Sequence, residues 1–218
     1  LHLRLSKLLS FHFILACNLL KLTIFQAIEH AVKTWEVDII TMSFGFQKSI
    51  TAIDKAIKFA FSRDVIMFAA TSNDGGNEEV AFPASAYEIV IGVNSTNAYG
   101  NKSYFTPNVL PLSENFSILG EAVESSWPKH LKQGSRQCRS GTSYATPIAA
   151  GTAANMILYS RMNIEDQETA KRVVTCRGMK KLLLTMAAQR DGYNYIRPWT
   201  LWRKDEKDIL AQIITALG

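Results

Sequence analysis

Residues 140–151 read SGTSYATPIAAG. Ser143 stands between small residues and ahead of a run of alanines, and Pro147 follows four positions later. Glycine at 141 lets a chain or ligand approach the backbone closely. Proline is tolerated in the first turn of a helix, where its missing N–H does no harm, so the stretch predicts a helix from Thr142 to about Arg161. Such a helix start offers unpaired N–H groups and a partial positive charge to an oxyanion near the Ser143 hydroxyl. Taken alone, the same residues also suit a plain N-cap by Thr142 or Ser143. The inner face of this helix carries Ala145, Ala149, Ala150, Ala153 and Ala154. Side chains that small permit close packing, which places the helix centrally.

Upstream, apolar β-branched runs alternate with helical spacing. FQAIEHAVKTW (25–35) puts Ile28, Ala31, Val32 and Trp35 on one helical face. VDIITMS (37–43), VIMFAAT (65–71) and EIVIGVN (88–94) read as strands buried on both faces. Between the first two, residues 49–64 return to helical spacing, with Ser49 or Thr51 as a cap. The alternation predicts an α/β fold, a parallel sheet flanked by helices. Residues 95–139 suit loops and short strands. Residues 178–191 and 204–217 suit amphipathic surface helices, with GYNYIRPW as connector.

Four stretches, in order, resemble the subtilisin-like serine protease family: TMSFG (41–45), FAATSNDGG (68–76), FPAS (82–85) and the Ser143 segment. The resemblance covers about residues 25–160. It implies a subtilisin-like sheet with its N-terminal part truncated, and acyl transfer to Ser143 in cleavage of an extended peptide or protein substrate. The implied oxyanion donor is Asn73, beside the backbone N–H of Ser143. The implied substrate-binding residues are Ser43, Phe44 and Gly45 on one wall and Thr71 and Ser72 on the other. Asn73 also suits a turn before Asp74-Gly75-Gly76. Ser72 stands where the family has glycine. Pro83 is the position where the family suggests a cis bond.

The family's Asp-Ser/Thr-Gly and His-Gly-Thr motifs, both upstream of the first wall, have no counterpart, since the first aspartate is Asp38 and the first glycine Gly45. His30 sits mid-helix, and His2, His12 and His130 lie in the leader or a loop. No catalytic Asp or His is identified. The expectation is a serine endopeptidase by family that is inactive in this chain. The alternative is a non-catalytic peptide-binding pseudoprotease. The organisation expected is an anomalous basic apolar leader (1–24), a partial peptidase domain (25–165) and a C-terminal helical extension (166–218).

Composition fits an ordinary globular chain: 218 residues, 47% hydrophobic, 20% charged, net charge +5. The positive excess is dispersed, so no nucleic-acid partner is expected, and the leader's uncharged run is too short for a membrane span. A nucleotide-binding α/β domain is disfavoured because no Walker-type or GxGxxG loop occurs and acids follow the DGG turn. No cofactor or metal is expected. Cys17, Cys138 and Cys176 are too few and scattered for a disulfide framework and favour an intracellular setting. The sequons at Asn94, Asn101 and Asn115 point the other way.

Overall fold

The computed structural model describes residues 8–11, 18–127 and 136–218. His2, His12, Cys17 and His130 lie outside them. The main sheet has seven strands in the order β1-β2-β3-β4-β5-β9-β8. They are β1 (Leu8–Phe11), β2 (Ile39–Met42), β3 (Ile66–Ala70), β4 (Ile91–Thr96), β5 (Phe116–Leu119), β8 (Ala187–Arg190) and β9 (Tyr193–Ile196). All neighbours pair in parallel except β8 with β9. Strands β6 (Val123–Ser126) and β7 (Arg136–Arg139) form a separate antiparallel pair.

The two-faced apolar runs are the reason the sheet is covered on both sides. In β3, Ile66 and Phe68 face one cluster while Met67 and Ala69 face the other. The first cluster is closed by α3 (Thr142–Asn163), α4 (Gln167–Val173), α5 (Cys176–Thr185) and α7 (Glu206–Leu217). The second is closed by α1 (Asn18–Lys33) and α2 (Thr51–Phe61). A one-turn α6 (Trp199–Trp202) follows β9. Helix α3 is central, as its alanines predict: Ala145, Ala149, Ala150 and Ala153 are fully buried, and Ala154 is partly so.

Several local expectations change. Helix α1 begins at Asn18, so it crosses the leader boundary drawn at residue 24. The N-cap of α2 is Ile50, with no side-chain cap bond from Ser49 or Thr51. The N-cap of α3 is Gly141, so neither Thr142 nor Ser143 caps it. GYNYIRPW is not a connector. Tyr193, Tyr195 and Ile196 are buried in β9, which docks on β5 and folds back against β8. The C-terminal segment therefore contributes two strands to the main sheet as well as helices. Lys180 on α5 reinforces this docking by reaching Glu114 Oε2 (2.9 Å) and the Tyr87 carbonyl (2.5 Å). Four residues before it, burial pushes the Cys176 thiol up to about 11, which keeps it protonated and unreactive at neutral pH.

Candidate active site

Parallel strands all end on one edge of a sheet, and the loops that follow gather there. Ser43–Gly45 continue from β2, Thr71–Asn73 continue from β3, and the start of α3 meets both. Thr142 makes the junction. Its backbone N–H donates to Asn73 Oδ1 at 2.8 Å. Its hydroxyl lies 3.1 Å from both Asn73 Oδ1 and the Ser72 carbonyl. The acceptor end of the Asn73 carboxamide is thus consumed, leaving Nδ2 as the donor this side chain has to offer. Gly141 gives it room, since a Cβ there would lie 3.3 Å from Nδ2. Within the first turn of α3, the Tyr144 and Ala145 N–H groups bond the Gly141 carbonyl. With the Thr142 N–H held by Asn73, the Ser143 N–H is the amide left for a ligand.

Pro147 has a consequence the sequence reading missed. It lies in the second turn of α3 and not in the first, so its missing N–H is not harmless as the sequence suggests: that N–H would ordinarily bond the Ser143 carbonyl four residues earlier. Proline has no N–H, so that carbonyl is orphaned. The Ser43 hydroxyl satisfies it at 2.9 Å. One missing backbone donor thereby ties the end of β2 to the nucleophile position itself. The sequence signal was present as Ser143 and Pro147 at a spacing of four, but nothing in it pointed to Ser43.

The walls are held from outside. Phe46 and Phe82 exchange backbone hydrogen bonds at 2.8 Å each, and the Ala81 N–H reaches the Thr71 carbonyl at 2.7 Å. Phe82–Pro83 is cis, at the position the family resemblance marked. Gly45 leaves no spare space, because a Cβ there would come within 2.7 Å of Ala81 Cβ. Phe44 is half-buried and Gly45 exposed. Thr71 is buried, its hydroxyl bonded to Asn94 Oδ1 (2.9 Å) and the Val93 carbonyl (3.2 Å), so it builds its wall from within.

Ser72 has φ of 152°, a conformation suited to glycine. Strain of this kind costs about 1–3 kcal/mol, and glycine gives part of the relief back as chain entropy. Ser72→Gly is expected to raise unfolding stability by about 1 kcal/mol, read as a higher urea midpoint. A lower midpoint would show that Ser72 is not strained.

The candidate proton acceptors lie elsewhere. Asp38 precedes β2, at the opposite edge of the sheet, and Arg161 near the end of α3 grips it at 2.5 and 3.0 Å. His30, the one histidine among the described residues, is exposed near the end of α1 and packs edge-on against Trp35. The chain passes from there into β2, so His30 also belongs to the far edge. No group of His, Cys, Asp or Glu among the described residues is arranged to hold a metal ion. No helix among them is long and apolar enough to cross a membrane.

The fold agrees with what the chain is similar to. The model of the Subtilase family matches residues 5–199. The chain is 28% identical over 174 residues to the subtilisin-like protease het-Q2 of Podospora anserina, covering 73% of this chain and 47% of that protein. It is 31% identical over 138 residues to the minor extracellular protease Epr of Bacillus subtilis (strain 168), covering 61% of this chain and 19% of that protein. Among solved structures, the prenylagaramide maturation protease PagA superposes with a TM-score of 0.69 at 25% identity, over 91% of this chain and 68% of that one. The PatG macrocyclase in complex with peptide shares the fold, with a TM-score of 0.65 at 18% identity over 93% of this chain and 58% of that one. The chain spans less than half the length of these two curated relatives.

Proposed function

The chain belongs to the subtilase family, and from that premise we propose that it retains the peptide-binding and oxyanion-binding half of a serine endopeptidase site. An extended peptide adds along Ser43–Gly45, facing Thr71–Asn73, as a further strand. In the parent reaction the Ser143 hydroxyl adds to the scissile carbonyl. The resulting oxyanion is met by the Ser143 N–H and Asn73 Nδ2 at the positive end of α3. The observation that carries this reading is the 2.8 Å bond from the Thr142 N–H to Asn73 Oδ1, which fixes the carboxamide beside the serine with its donor end free.

Completing the reaction requires a base to take the hydroxyl proton and later return it to the leaving amine. His30 and Asp38 do not serve, for the reasons of position given above. Among the described residues no base stands beside Ser143, and on this reading the site binds rather than cleaves. Titration of the folded chain with an extended peptide, followed by fluorescence anisotropy, tests this. Ser143→Ala is expected to leave the affinity within about threefold, because the hydroxyl contributes to reaction more than to binding. Gly45→Val, which drives a side chain into Ala81, is expected to weaken it by about tenfold or more, a loss of about 1.4 kcal/mol. Absence of binding by the folded chain, or binding indifferent to Gly45→Val in a variant with native circular dichroism, would sink the proposal.

A further inference from the structure

The three N-x-S/T sequons carry equal weight in the sequence, but the fold treats them very differently. Asn94 is 3% exposed. Its Oδ1 accepts from the Thr71 hydroxyl (2.9 Å) and its Nδ2 donates to the Phe116 carbonyl (3.0 Å). A sugar on that nitrogen would have to occupy the inside of the sheet. Asn115 is half-buried with its carboxamide consumed on the neighbouring loop. Its Oδ1 accepts from the Leu110 N–H (2.7 Å), and its Nδ2 donates to the carbonyls of Leu110 (2.9 Å) and Ser113 (3.0 Å). Substitution of that nitrogen would remove a hydrogen that the loop uses.

Asn101 is exposed. It closes a tight turn through its backbone alone: its N–H reaches Asn97 Oδ1 (3.1 Å) and its carbonyl accepts from the Asn97 N–H (2.9 Å). Gly100, at φ of 82°, makes the bend. A second feature of the same turn is otherwise unexplained. Tyr99, two residues before Asn101, is 80% exposed. An aromatic face left in water beside an acceptor asparagine matches the apolar C–H face of a sugar ring.

We propose that Asn101 is an N-glycosylation site, the one sequon of the three that the folded chain can carry modified, and that the first sugar packs against Tyr99. The reaction is transfer from a lipid-pyrophosphate-linked oligosaccharide. Nδ2 of Asn101 forms a bond to the anomeric carbon, the bond from that carbon to the pyrophosphate oxygen breaks, and the lipid pyrophosphate leaves with the electron pair while one amide proton is released. Ser103, the third residue of the sequon, is fully buried, and its hydroxyl lies 2.8 Å from that of Ser95. Transfer must therefore precede closure of this loop, on the nascent chain. The native turn then keeps the glycan in solvent.

The test is secretion of the chain, behind an added signal peptide, from yeast or insect cells. Occupancy is read on the soluble, protease-resistant fraction by peptide-N-glycosidase treatment in ¹⁸O-labelled water and peptide mass mapping. One glycan is expected at Asn101, none at Asn94 or Asn115, and none anywhere in Asn101→Gln. An unoccupied Asn101, or a glycan on either other asparagine in that fraction, overturns the assignment. The Tyr99 contact has its own readout. Tyr99→Ser is expected to lower the Tm of the glycosylated chain by about 2–4 °C, the shift that a single modest contact gives in a chain of this size, and to leave the enzymatically deglycosylated chain unchanged. Equal shifts in the two forms would remove Tyr99 from the proposal.

Discussion

Peptide hydrolysis by the purified chain is expected to fall about 10⁶-fold below that of a subtilase with a complete triad, and a fluorophosphonate is expected to leave Ser143 essentially unlabelled. The magnitude is the one measured for subtilisin itself, where loss of the serine or the histidine alone costs about 2 × 10⁶ in turnover. The reason it applies is positional. Helix α3 rises about 1.5 Å per residue, so Arg161 lies about 27 Å along its axis from Ser143. Asp38, held by Arg161 at 2.5 Å, is therefore at the wrong end of the molecule to orient a base. His30 shares that end. Among the described residues none accepts the Ser143 proton, and an alcohol near neutral pH without an acceptor is a weak nucleophile, however well its oxyanion is supported. Fast labelling that disappears in Ser143→Ala would overturn the expectation. If it disappeared in His12→Ala as well, the missing base would be identified.

Much of the scaffold was legible because burial on both faces leaves a plain trace. Strand β3 is an unbroken apolar run, β2 and the start of β4 are nearly so, and α3 meets the sheet with alanines along its first turns. Asn73 and Ser143 could be paired from the order of four motifs. The features that escaped are those in which one polar group answers another far along the chain. Pro147 silences a donor, and Ser43, a hundred residues earlier, replaces it. Thr142 reads as a cap but serves as the clamp on Asn73. The strand β9 escaped for a different reason. Tyr193, Tyr195 and Ile196 bury apolar bulk among Asn, Arg and Pro, so the run is too short and mixed for periodicity to separate a strand from a connector. The strained Ser72 was visible as a departure from the family's glycine, but only its φ of 152° shows why glycine belongs there.

Phe68→Ala is expected to cost about 3–5 kcal/mol, a large part of the stability of a domain that holds by about 5–15 kcal/mol in total. Phe68 is fully buried at the middle of β3, opposite Thr41 of β2 on one side and Ile91 of β4 on the other. It belongs to the cluster closed by the alanines of α3. A large ring on the sheet and methyl groups on the helix divide the volume between them. Alanine side chains have no torsion with which to reach into a void, so the space left by the ring stays open unless the helix itself moves. Urea denaturation should show the loss as a lower midpoint, with Tm lower by roughly 10 °C. Phe61→Ala, at the exposed end of α2, serves as the control and is expected to cost less than about 1 kcal/mol. If Phe68→Ala also cost less than 1 kcal/mol, the central placement of α3 would be wrong. The same substitution should reach the site. Strand β3 delivers Asn73, and α3 delivers Ser143, so a helix that settles into the cavity moves one against the other. Peptide affinity is therefore expected to fall in Phe68→Ala even at temperatures where the variant remains folded, whereas Phe61→Ala leaves it unchanged.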